Sequence, residues 1–411
     1  MAADCDNALG LYLSVPFCRS KCTYCNFASG VYPASEHGRY VDRLVDDLHN
    51  AGGWAARMGV ELPRAVDTIY LGGGTPSLLE PELIARLFAA IRNEFDVETG
   101  AEITMECAPG QIGDEALDAM VQAGVNRVSL GVQSFVDREA AVSGRLHKRE
   151  TVLADLLRLR AAGIDNLNLD LIAGLAGQTF ASWEESLRTL IETGVPHASV
   201  YLFEVDEDSR LGRERLAQGS RYFANLVPSD DAMATMYTAA IEQLCRAGLA
   251  QYEISNFARE GHASRHNLRY WSRRPYLGVG LDASSMLRAP RRLDSRECGG
   301  DLPRVLRTTA TSDLKAYLEG GEIESQWVSP VDQHEEAWFL GLRRNCGARV
   351  GEIEREFGGR LVAGALDAVQ RLAKDGLLEC DGEIVRLSAR GRLLSNEVFQ
   401  EVLAVETAGA R

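Results

Sequence analysis

The sequence predicts an α/β fold built on a partial (β/α)6 barrel, followed by a small α+β region and a C-terminal domain of helices with a short strand pair. Three observations predict it. Short β-rich runs alternate with longer helical stretches up to about residue 205, several of these stretches end in a glycine, and the pattern changes near residue 330. Alternation of this kind is typical of a parallel sheet, whose functional sites gather at the carboxyl ends of the strands.

Six runs form the predicted strands of the barrel: 11–17 LYLSVPF, 67–73 DTIYLGG, 101–106 AEITME, 125–132 VNRVSLGV, 166–172 NLNLDLI and 198–204 ASVYLFE. The stretches 81–95, 114–123 and 151–162 are long enough to be helical crossovers between parallel strands. Gly124, Gly163 and Gly194 follow helical stretches and suit a left-handed C-cap, which needs no Cβ. These features predict one parallel, barrel-like sheet.

The rest of the chain divides into two further segments, so we expect domains at residues 1–230, 231–329 and 330–411. The middle segment begins with a predicted helix over about 230–247 and contains a polar, arginine-rich stretch at 288–300. After residue 330 the order is helix, turn, helix, a strand pair and a last helix, which predicts a winged-helix-like domain. We favour a packing role for it over DNA binding, because it lacks the basic charge that phosphates require.

Composition narrows the class of protein. A net charge of −15 argues against bulk attraction to nucleic acid or anionic lipid. No apolar run approaches the roughly 20 residues that cross a bilayer, and the first residues lack the features of a secretory leader. Nine cysteines scattered through a long chain do not resemble a disulfide framework. We therefore expect a cytoplasmic protein with reduced thiols and no membrane span; its oligomeric state is left open, a dimer included.

Three cysteines follow the first predicted strand at the spacing C-x3-C-x2-C: Cys18, Cys22 and Cys25. Thiolates are the usual ligands of [4Fe–4S] clusters, and three of them leave one iron open to another ligand. The alternatives are structural zinc, which normally takes four protein ligands, and three unrelated buried thiols. The remaining cysteines are isolated and are not expected to be ligands: Cys5, Cys107, Cys245, Cys298, Cys346 and Cys380.

The cysteine loop resembles that of the radical S-adenosylmethionine (SAM) superfamily, with its TIM-like partial barrel and a cofactor bound to the open iron. The segment GGGTPS at 72–77, GVQSF at 131–135, and the stretches around Arg145 and Asp170 are similar to the coproporphyrinogen dehydrogenase (HemN-like) branch, over residues 12 to about 402. The resemblance implies these SAM contacts: Tyr12, Gly73, Gly74, Thr75, Glu106, Gln133, Arg145 and Asp170. Cys107 departs from the asparagine that is common in that branch.

Chemistry suggests a role for three of these side chains. Arg145 suits the carboxylate of the methionine moiety, Glu106 its ammonium group, and Asp170 the ribose hydroxyls.

Two features resemble the haem-chaperone (HemW) group of that branch. Phe27 stands where the dehydrogenases have a fourth cysteine, and residues 265–271, RHNLRYW, match an HNxxYW motif. The resemblance implies a haem site here, with His266 as axial ligand, His262 as fallback, and Tyr270 and Trp271 stacking on the porphyrin.

Charge around the HNxxYW motif favours an anionic ligand. Nine arginines between residues 259 and 296 stand against Glu260, Asp282 and Asp294, a local sum of +6. The arginines expected near haem propionates are Arg265, Arg269, Arg273 and Arg274. The alternative is a solvated arginine face with a buried histidine.

The expected function is therefore that of a chaperone that binds haem as cargo and transfers it to respiratory haemoproteins, while retaining a cluster and a SAM site. The alternative is an oxygen-independent dehydrogenase that converts coproporphyrinogen III propionates to vinyl groups. A winged-helix nucleic-acid binder is disfavoured by the acidic charge. The sequence leaves open whether SAM is cleaved and which protein accepts the haem.

Overall fold

The computed structural model describes residues 8–207, 209–290 and 304–403. A twelve-stranded sheet forms its main body. The six barrel strands at its centre are parallel and follow one another in space as they do along the chain. Because the two end strands of the sheet do not pair with each other within the described residues, the predicted partial (β/α)6 barrel is confirmed.

The six barrel strands match the six predicted runs: β1 Leu9–Val15, β2 Ala65–Gly73, β3 Asp96–Cys107, β4 Arg127–Gln133, β5 Asn166–Ala173 and β6 His197–Leu202. Most of their residues are buried on both faces, as expected for parallel strands covered by helices. Burial on both faces explains why these strands appear in the sequence as near-continuous apolar runs.

Helices on the outside of the barrel connect its strands: α1 Ser35–Met58, α2 Pro81–Glu94, α3 Asp114–Gln122, α4 Asp137–Val142, α5 Arg149–Ala161 and α6 Phe180–Thr193. Three glycines predicted to follow helices have positive φ, with values of 84° at Gly124, 86° at Gly163 and 67° at Gly194. A side chain is strained in this region, so the glycines allow each helix to turn sharply into the next strand.

The middle segment extends the barrel sheet on both sides. Helix α7 Arg210–Leu216 still belongs to the first segment. The middle segment runs through α8 Asp230–Arg246, β7 Ala250–Gln251, β8 Asn256–Ala258, α9 Arg265–Trp271, β9 Tyr276–Val279, β10 Ser284–Arg288, β11 Val305–Ala310, α10 Leu314–Leu318 and β12 Ile323–Val328. The strand order of the whole sheet is β12-β11-β10-β9-β1-β2-β3-β4-β5-β6-β8-β7. Strand β8 pairs antiparallel with β6, and β9 pairs parallel with β1. Residues 291–300 of the arginine-rich stretch lie outside the described residues.

The C-terminal domain has its own buried apolar cluster. Its elements are α11 Pro330–Arg343, β13 Ala348–Arg349, α12 Val350–Phe357, α13 Gly359–Lys374, β14 Leu378–Cys380, β15 Ile384–Leu387, α14 Ala389–Leu393 and α15 Ser395–Leu403. The domain is winged-helix-like, but three described helices precede the strand pair of β14 and β15 and two follow it, where the sequence predicts two and one. Arg343 joins this domain to the middle segment, since its guanidinium lies 2.8 Å from Glu253 and 4.3 Å from the Trp271 ring.

A buried ion pair closes the barrel at the amino ends of its strands. The Arg269 guanidinium is fully buried, bonds the Asp67 carboxylate, and donates to the carbonyl oxygens of Ala8 at 2.9 Å and Pro275 at 3.1 Å. Arg274 lies 3.5 Å from the same carboxylate. These contacts attach α9 to the base of β1 and β2.

Within the described residues, no helix combines the length and apolar character needed to span a membrane.

Candidate functional site

The three predicted cluster cysteines lie on the loop between β1 and α1, at the carboxyl end of the barrel. The loop is closed at its base, because the Cys18 N–H donates to Gly30 O at 2.9 Å and the Lys21 ammonium donates to Phe27 O at 3.0 Å. Thr75 donates to Cys18 Sγ at 3.9 Å. All three thiols are free and partly exposed, so they are available as ligands.

The cluster loop packs against the segment between α4 and α5. The Thr23 N–H donates to Ser143 O at 3.0 Å, and Gly144 is close enough to Cys22 that a Cβ on it would lie 3.2 Å from the Cys22 Cα. Gly144 has φ +91°. This contact carries the following residue, Arg145, to the cysteine loop, where its guanidinium lies 3.5 Å from the Tyr24 hydroxyl.

The glycine segment after β2 lies directly beside the cysteine loop. The Gly74 N–H donates to Val15 O at 2.9 Å, and the Thr75 N–H donates to Phe17 O at 2.8 Å. A Cβ on Gly74 would lie 2.7 Å from Val15 O, a backbone atom that cannot move aside. Gly73 has φ +95°. Glycine is therefore required here by close backbone contact and by a left-handed conformation.

A cavity of about 530 Å³ opens at the carboxyl ends of the strands, and we call it the strand-end cavity. It brings together ten of the residues predicted for the cluster and SAM: Cys18, Cys22, Cys25, Gly73, Gly74, Thr75, Glu106, Gln133, Arg145 and Asp170. Tyr12 differs, because it lines a second cavity, although its hydroxyl lies 3.5 Å from where a Cβ of Gly73 would be. Phe27 lines the rim of the strand-end cavity and is 64% exposed.

Glu106 and Asp170 give the strand-end cavity its acidic side. Glu106 accepts a hydrogen bond from the Tyr70 hydroxyl at 2.8 Å, and burial raises the pKa of Glu106 to about 7. Burial also raises the pKa of Asp170, whose carboxylate accepts from Ser129 at 3.2 Å and from Asn168 at 2.7 Å. Both carboxyl groups are therefore held in fixed orientations by neighbouring strands.

The polar groups of the strand-end cavity fit a zwitterionic nucleoside ligand such as SAM. Among the described residues, Gln133 Oε1 and Arg145 Nε are buried without a hydrogen-bond partner. Gln133 also has φ +69° at an irregularity in β4, a strained conformation of the kind that concentrates at functional sites. An unused acceptor, an unused cationic donor and two carboxyls match the amino, carboxylate and hydroxyl groups of SAM.

The described residues contain no group of three or more His, Cys, Asp or Glu side chains that could share one metal ion. A cuboidal [4Fe–4S] cluster differs from a single ion in taking each thiolate at a separate corner.

We expect the affinity for SAM to depend on the protonation of Glu106. Below about pH 7 Glu106 takes up a proton and loses the charge that attracts an ammonium group. The affinity for SAM should therefore decrease as the pH is lowered, by at most about tenfold per pH unit. Glu106→Gln should weaken binding roughly 10- to 100-fold at about pH 8 and remove this pH dependence. Isothermal titration of cluster-loaded protein with SAM measures both effects.

Glu139→Gln is the matched control for Glu106→Gln, since Glu139 is also a carboxylate that accepts a hydrogen bond from a hydroxyl but does not line the strand-end cavity. An unchanged pH profile in Glu106→Gln would show that another group binds the ammonium.

The HNxxYW segment forms helix α9, which packs on β2 below the strand-end cavity. Ser264 caps the helix, and the Glu102 carboxylate accepts from the backbone N–H groups of Arg265 and His266, both at 3.0 Å. His266 is 1% exposed, with Nδ1 3.0 Å from Thr68 Oγ1 and Nε2 2.8 Å from the Tyr270 hydroxyl. Both ring nitrogens are therefore engaged inside the protein, and His266 as a haem ligand stays a prediction.

A second cavity, of about 360 Å³, lies between the barrel, α9 and the C-terminal domain, and we call it the aromatic cleft. Ten residues line it: Tyr12, Tyr270, Trp271, Arg273, Tyr276, Asp282, Ser284, Met286, Arg307 and Leu340. Of the four arginines expected near propionates, Arg273 lines this cleft. Arg269 and Arg274 instead contact Asp67 at the base of the barrel, and Arg265 donates to Gly100 O.

Several site residues were not predicted from the sequence. Tyr24, Ser129 and His147 line the strand-end cavity, Tyr70 holds Glu106, and Met286 and Arg307 line the aromatic cleft. Ser129 and Tyr70 occupy strand positions that alternation would have turned toward the barrel interior. For Met286 and Arg307 no local signal exists, because only strand pairing carries them to α9. The fallback ligand His262 lies in the turn before α9, where its N–H donates to Arg259 O.

A partial parallel barrel with three cysteines after its first strand, beside a polar strand-end cavity, defines a radical SAM protein. Residues 12–190 match the family described as "Radical SAM superfamily", and residues 328–394 match "HemN C-terminal domain". Two relatives are named heme chaperone HemW. The one from Lactococcus lactis is 31% identical over 95% of this chain and 96% of its own, and the one from Bacillus subtilis is 32% identical over 94% and 97%. The chain belongs to the HemW family within the radical SAM superfamily.

The fold has a close match among solved structures. Coproporphyrinogen III oxidase (HemN) from Escherichia coli superposes with a TM-score of 0.80 at 24% identity, covering 97% of this chain and 90% of that one. At this level of identity the likeness shows the fold alone. The superfamily implies a [4Fe–4S] cluster and SAM, which together supply one-electron chemistry when bound.

Proposed function

We propose that this chain binds haem and transfers it to acceptor haemoproteins, respiratory enzymes among them, while retaining a [4Fe–4S] cluster and a SAM site. The observation that carries the proposal is the likeness to relatives named heme chaperone HemW along nearly the whole chain. The aromatic cleft beside the HNxxYW helix supports it independently, because its lining suits a large, flat and anionic ligand.

The aromatic cleft has the chemistry that haem requires. Tyr270, Trp271 and Tyr276 offer aromatic surface to a porphyrin face. Arg273 bonds both oxygens of Glu356, at 2.7 and 3.1 Å, and Arg307 lies 2.9 Å from Glu336. Both guanidiniums therefore already hold carboxylates, and a haem propionate presents the same group. Haem would enter as its propionates replace the carboxylates of Glu356 and Glu336 on these two arginines.

The SAM and cluster assignments belong to the same proposal. Cys18, Cys22 and Cys25 would bind three irons of the cluster, and Glu106, Arg145 and Asp170 would orient SAM at the fourth. The Tyr70 hydroxyl holds the Glu106 carboxyl in place from behind. Gly73 and Gly74 leave the backbone uncovered where the ligand approaches.

A transfer assay tests the function. Cluster-loaded protein charged with haemin should deliver it to an apo-haemoprotein, such as the apo form of a respiratory b-type cytochrome, and the Soret spectrum of the acceptor should appear. Free haemin at the same concentration is the reference for unassisted uptake. The proposal would be contradicted if the protein binds no haemin, or if the acceptor takes up haemin more slowly from the protein than from free haemin.

A second assay separates the chaperone from its enzymatic relatives. Reconstituted protein is incubated anaerobically with coproporphyrinogen III, SAM and a reductant. We expect no protoporphyrinogen IX, since Phe27 replaces the additional cysteine of the dehydrogenases. Product formation at enzymatic rates would identify a dehydrogenase instead.

Arg307→Met tests the position of haem. The substitution keeps an unbranched apolar stem but removes the guanidinium, and we expect the haemin Kd to rise roughly three- to tenfold, because one carboxylate contact is lost. Arg304→Met is the matched control, because Arg304 lies on the Trp327 ring and does not line the cleft. Titration followed at the Soret band measures both. Equal haemin affinity of the two variants would show that haem does not bind in this cleft.

A further inference from the structure

One tyrosine that lines the aromatic cleft has a buried imidazole as its hydrogen-bond partner. The hydroxyl of Tyr270 lies 2.8 Å from Nε2 of His266, and Nδ1 of His266 lies 3.0 Å from the hydroxyl oxygen of Thr68. The two rings meet edge to face, with centroids 4.9 Å apart. Tyr270 faces the cleft, whereas His266 lies behind it and does not belong to the cleft lining.

The hydrogen bonds of His266 leave one ring nitrogen as an acceptor for the Tyr270 hydroxyl. When Nδ1 carries the hydrogen, it donates to Thr68 and leaves the lone pair of Nε2 for the Tyr270 hydroxyl. Ring stacking on Tyr70, at 5.3 Å, and the two backbone bonds to Glu102 hold the imidazole in this orientation.

We propose that Tyr270, assisted by His266, is the axial ligand of ferric haem in the aromatic cleft. The inference rests on the proposed haem-binding function and names the ligand within it. As the bond between iron and the phenolate oxygen forms, the O–H bond of Tyr270 breaks, and its proton combines with the hydroxide that ferric haem carries and leaves as water. Iron stays ferric, and the neutral imidazole of His266 holds the hydroxyl in place before the bond forms.

Other potential ligands in the cleft lack this arrangement. Tyrosine, methionine and histidine all serve as haem ligands in proteins. Within the described part of the chain, no imidazole bonds the hydroxyls of Tyr12 or Tyr276, and Met286 offers a neutral thioether that matches ferric iron less well than a phenolate. Tyr276 packs edge to face on Tyr270, with centroids 4.5 Å apart, and supports the ring.

The cleft wall next to Tyr270 also has an unused hydrogen-bond donor. Trp271 Nε1 is buried and has no hydrogen-bond partner among the residues that the structure describes. A ligand that brings an acceptor into the cleft would satisfy it. This observation is independent of the Tyr270 pair and points to the same cavity.

The test uses haemin titrations of the cluster-loaded full chain, recorded as difference spectra and by EPR. Wild type should give the charge-transfer band and high-spin signal of a phenolate-ligated ferric haem. Tyr270→Phe keeps the ring but removes the oxygen, so this signature should disappear and the Kd should rise about tenfold or more. His266→Ala should weaken the signature and the affinity, and His266→Gln should restore part of both, because its amide oxygen accepts from Tyr270.

Tyr317→Phe is the control for loss of a buried tyrosine hydroxyl, since Tyr317 donates to Asp47 and does not line the cleft, and this variant should bind haemin like wild type. Circular dichroism and cluster absorption establish that each variant is folded. If wild type binds no haemin, the proposed function fails. If it binds haemin but Tyr270→Phe keeps the wild-type spectrum and affinity, only the assignment of Tyr270 as ligand fails. If His266→Ala alone abolishes the spectrum, His266 is the axial ligand instead.

Discussion

Replacing any one of Cys18, Cys22 and Cys25 with serine is expected to abolish the visible absorption of a reconstituted iron–sulfur cluster. A hydroxyl is a far weaker ligand for iron than a thiolate, and each cysteine holds a different corner of the cluster. The loop that carries the three thiols is held in place by the hydrogen bonds of Cys18 to Gly30 and of Lys21 to Phe27. Anaerobic reconstitution with iron and sulfide, followed by absorption and iron analysis, measures the loss.

Two other cysteines are the matched controls for cluster loss. Cys107 is buried beside the strand-end cavity, and Cys346 is exposed in the C-terminal domain. Their serine variants should reconstitute like wild type. Cluster absorption that survives in Cys22→Ser, or that is lost equally in Cys346→Ser, would refute the assignment of the three ligands.

Asp67→Asn is expected to be the most destabilising polar substitution at the base of the barrel. It removes the carboxylate that neutralises the fully buried Arg269, and Arg274 loses the same partner. Burial already lowers the pKa of Arg269, with Asp67 opposing that effect, so the guanidinium would be left charged and uncompensated. Breaking a buried pair in this way costs about 3–5 kcal/mol. Urea unfolding measures the change as a lower midpoint.

Asp96→Asn is the control for the ion pair, because Asp96 is exposed and lies 3.6 Å from an exposed Arg64. Surface pairs of this kind contribute about 0–1 kcal/mol, so its midpoint should change little. Equal midpoints for Asp67→Asn and Asp96→Asn would mean that water or a rearranged side chain compensates Arg269.

The sequence predicted the barrel well because its signals are local. Each strand of the parallel sheet is a short apolar run, and glycines such as Gly124 and Gly194 mark the points where helices end. Predicted helix bounds also agree closely, since Asp114–Gln122 was expected at 114–123. The strand-end cavity followed from the same logic, because parallel strands carry their last residues to one edge of the sheet.

Positions that depend on packing between distant segments were harder to predict. The HNxxYW motif predicted a haem ligand at His266, yet that side chain faces Thr68 and Tyr70 in the interior. The arginine-rich composition near α9 predicts one patch, whereas Arg269 is buried and Arg273 bonds Glu356 of the C-terminal domain. Periodicity cannot distinguish these outcomes, because Arg269 lies on a short helix and Arg273 in the turn directly after it.

The sequence by itself therefore determined the class of fold, the order of the barrel strands and the loop that carries the three cysteines, since all of these follow from spacing along the chain. The tertiary structure alone decided which side chains share a cavity: Tyr12 with Tyr270, Met286 and Arg307 in the aromatic cleft, and Asp67 with Arg269 beneath it. These residues are brought together by β9 pairing with β1 and by α9 packing on β2. Contacts across such long separations leave no periodic trace in the sequence.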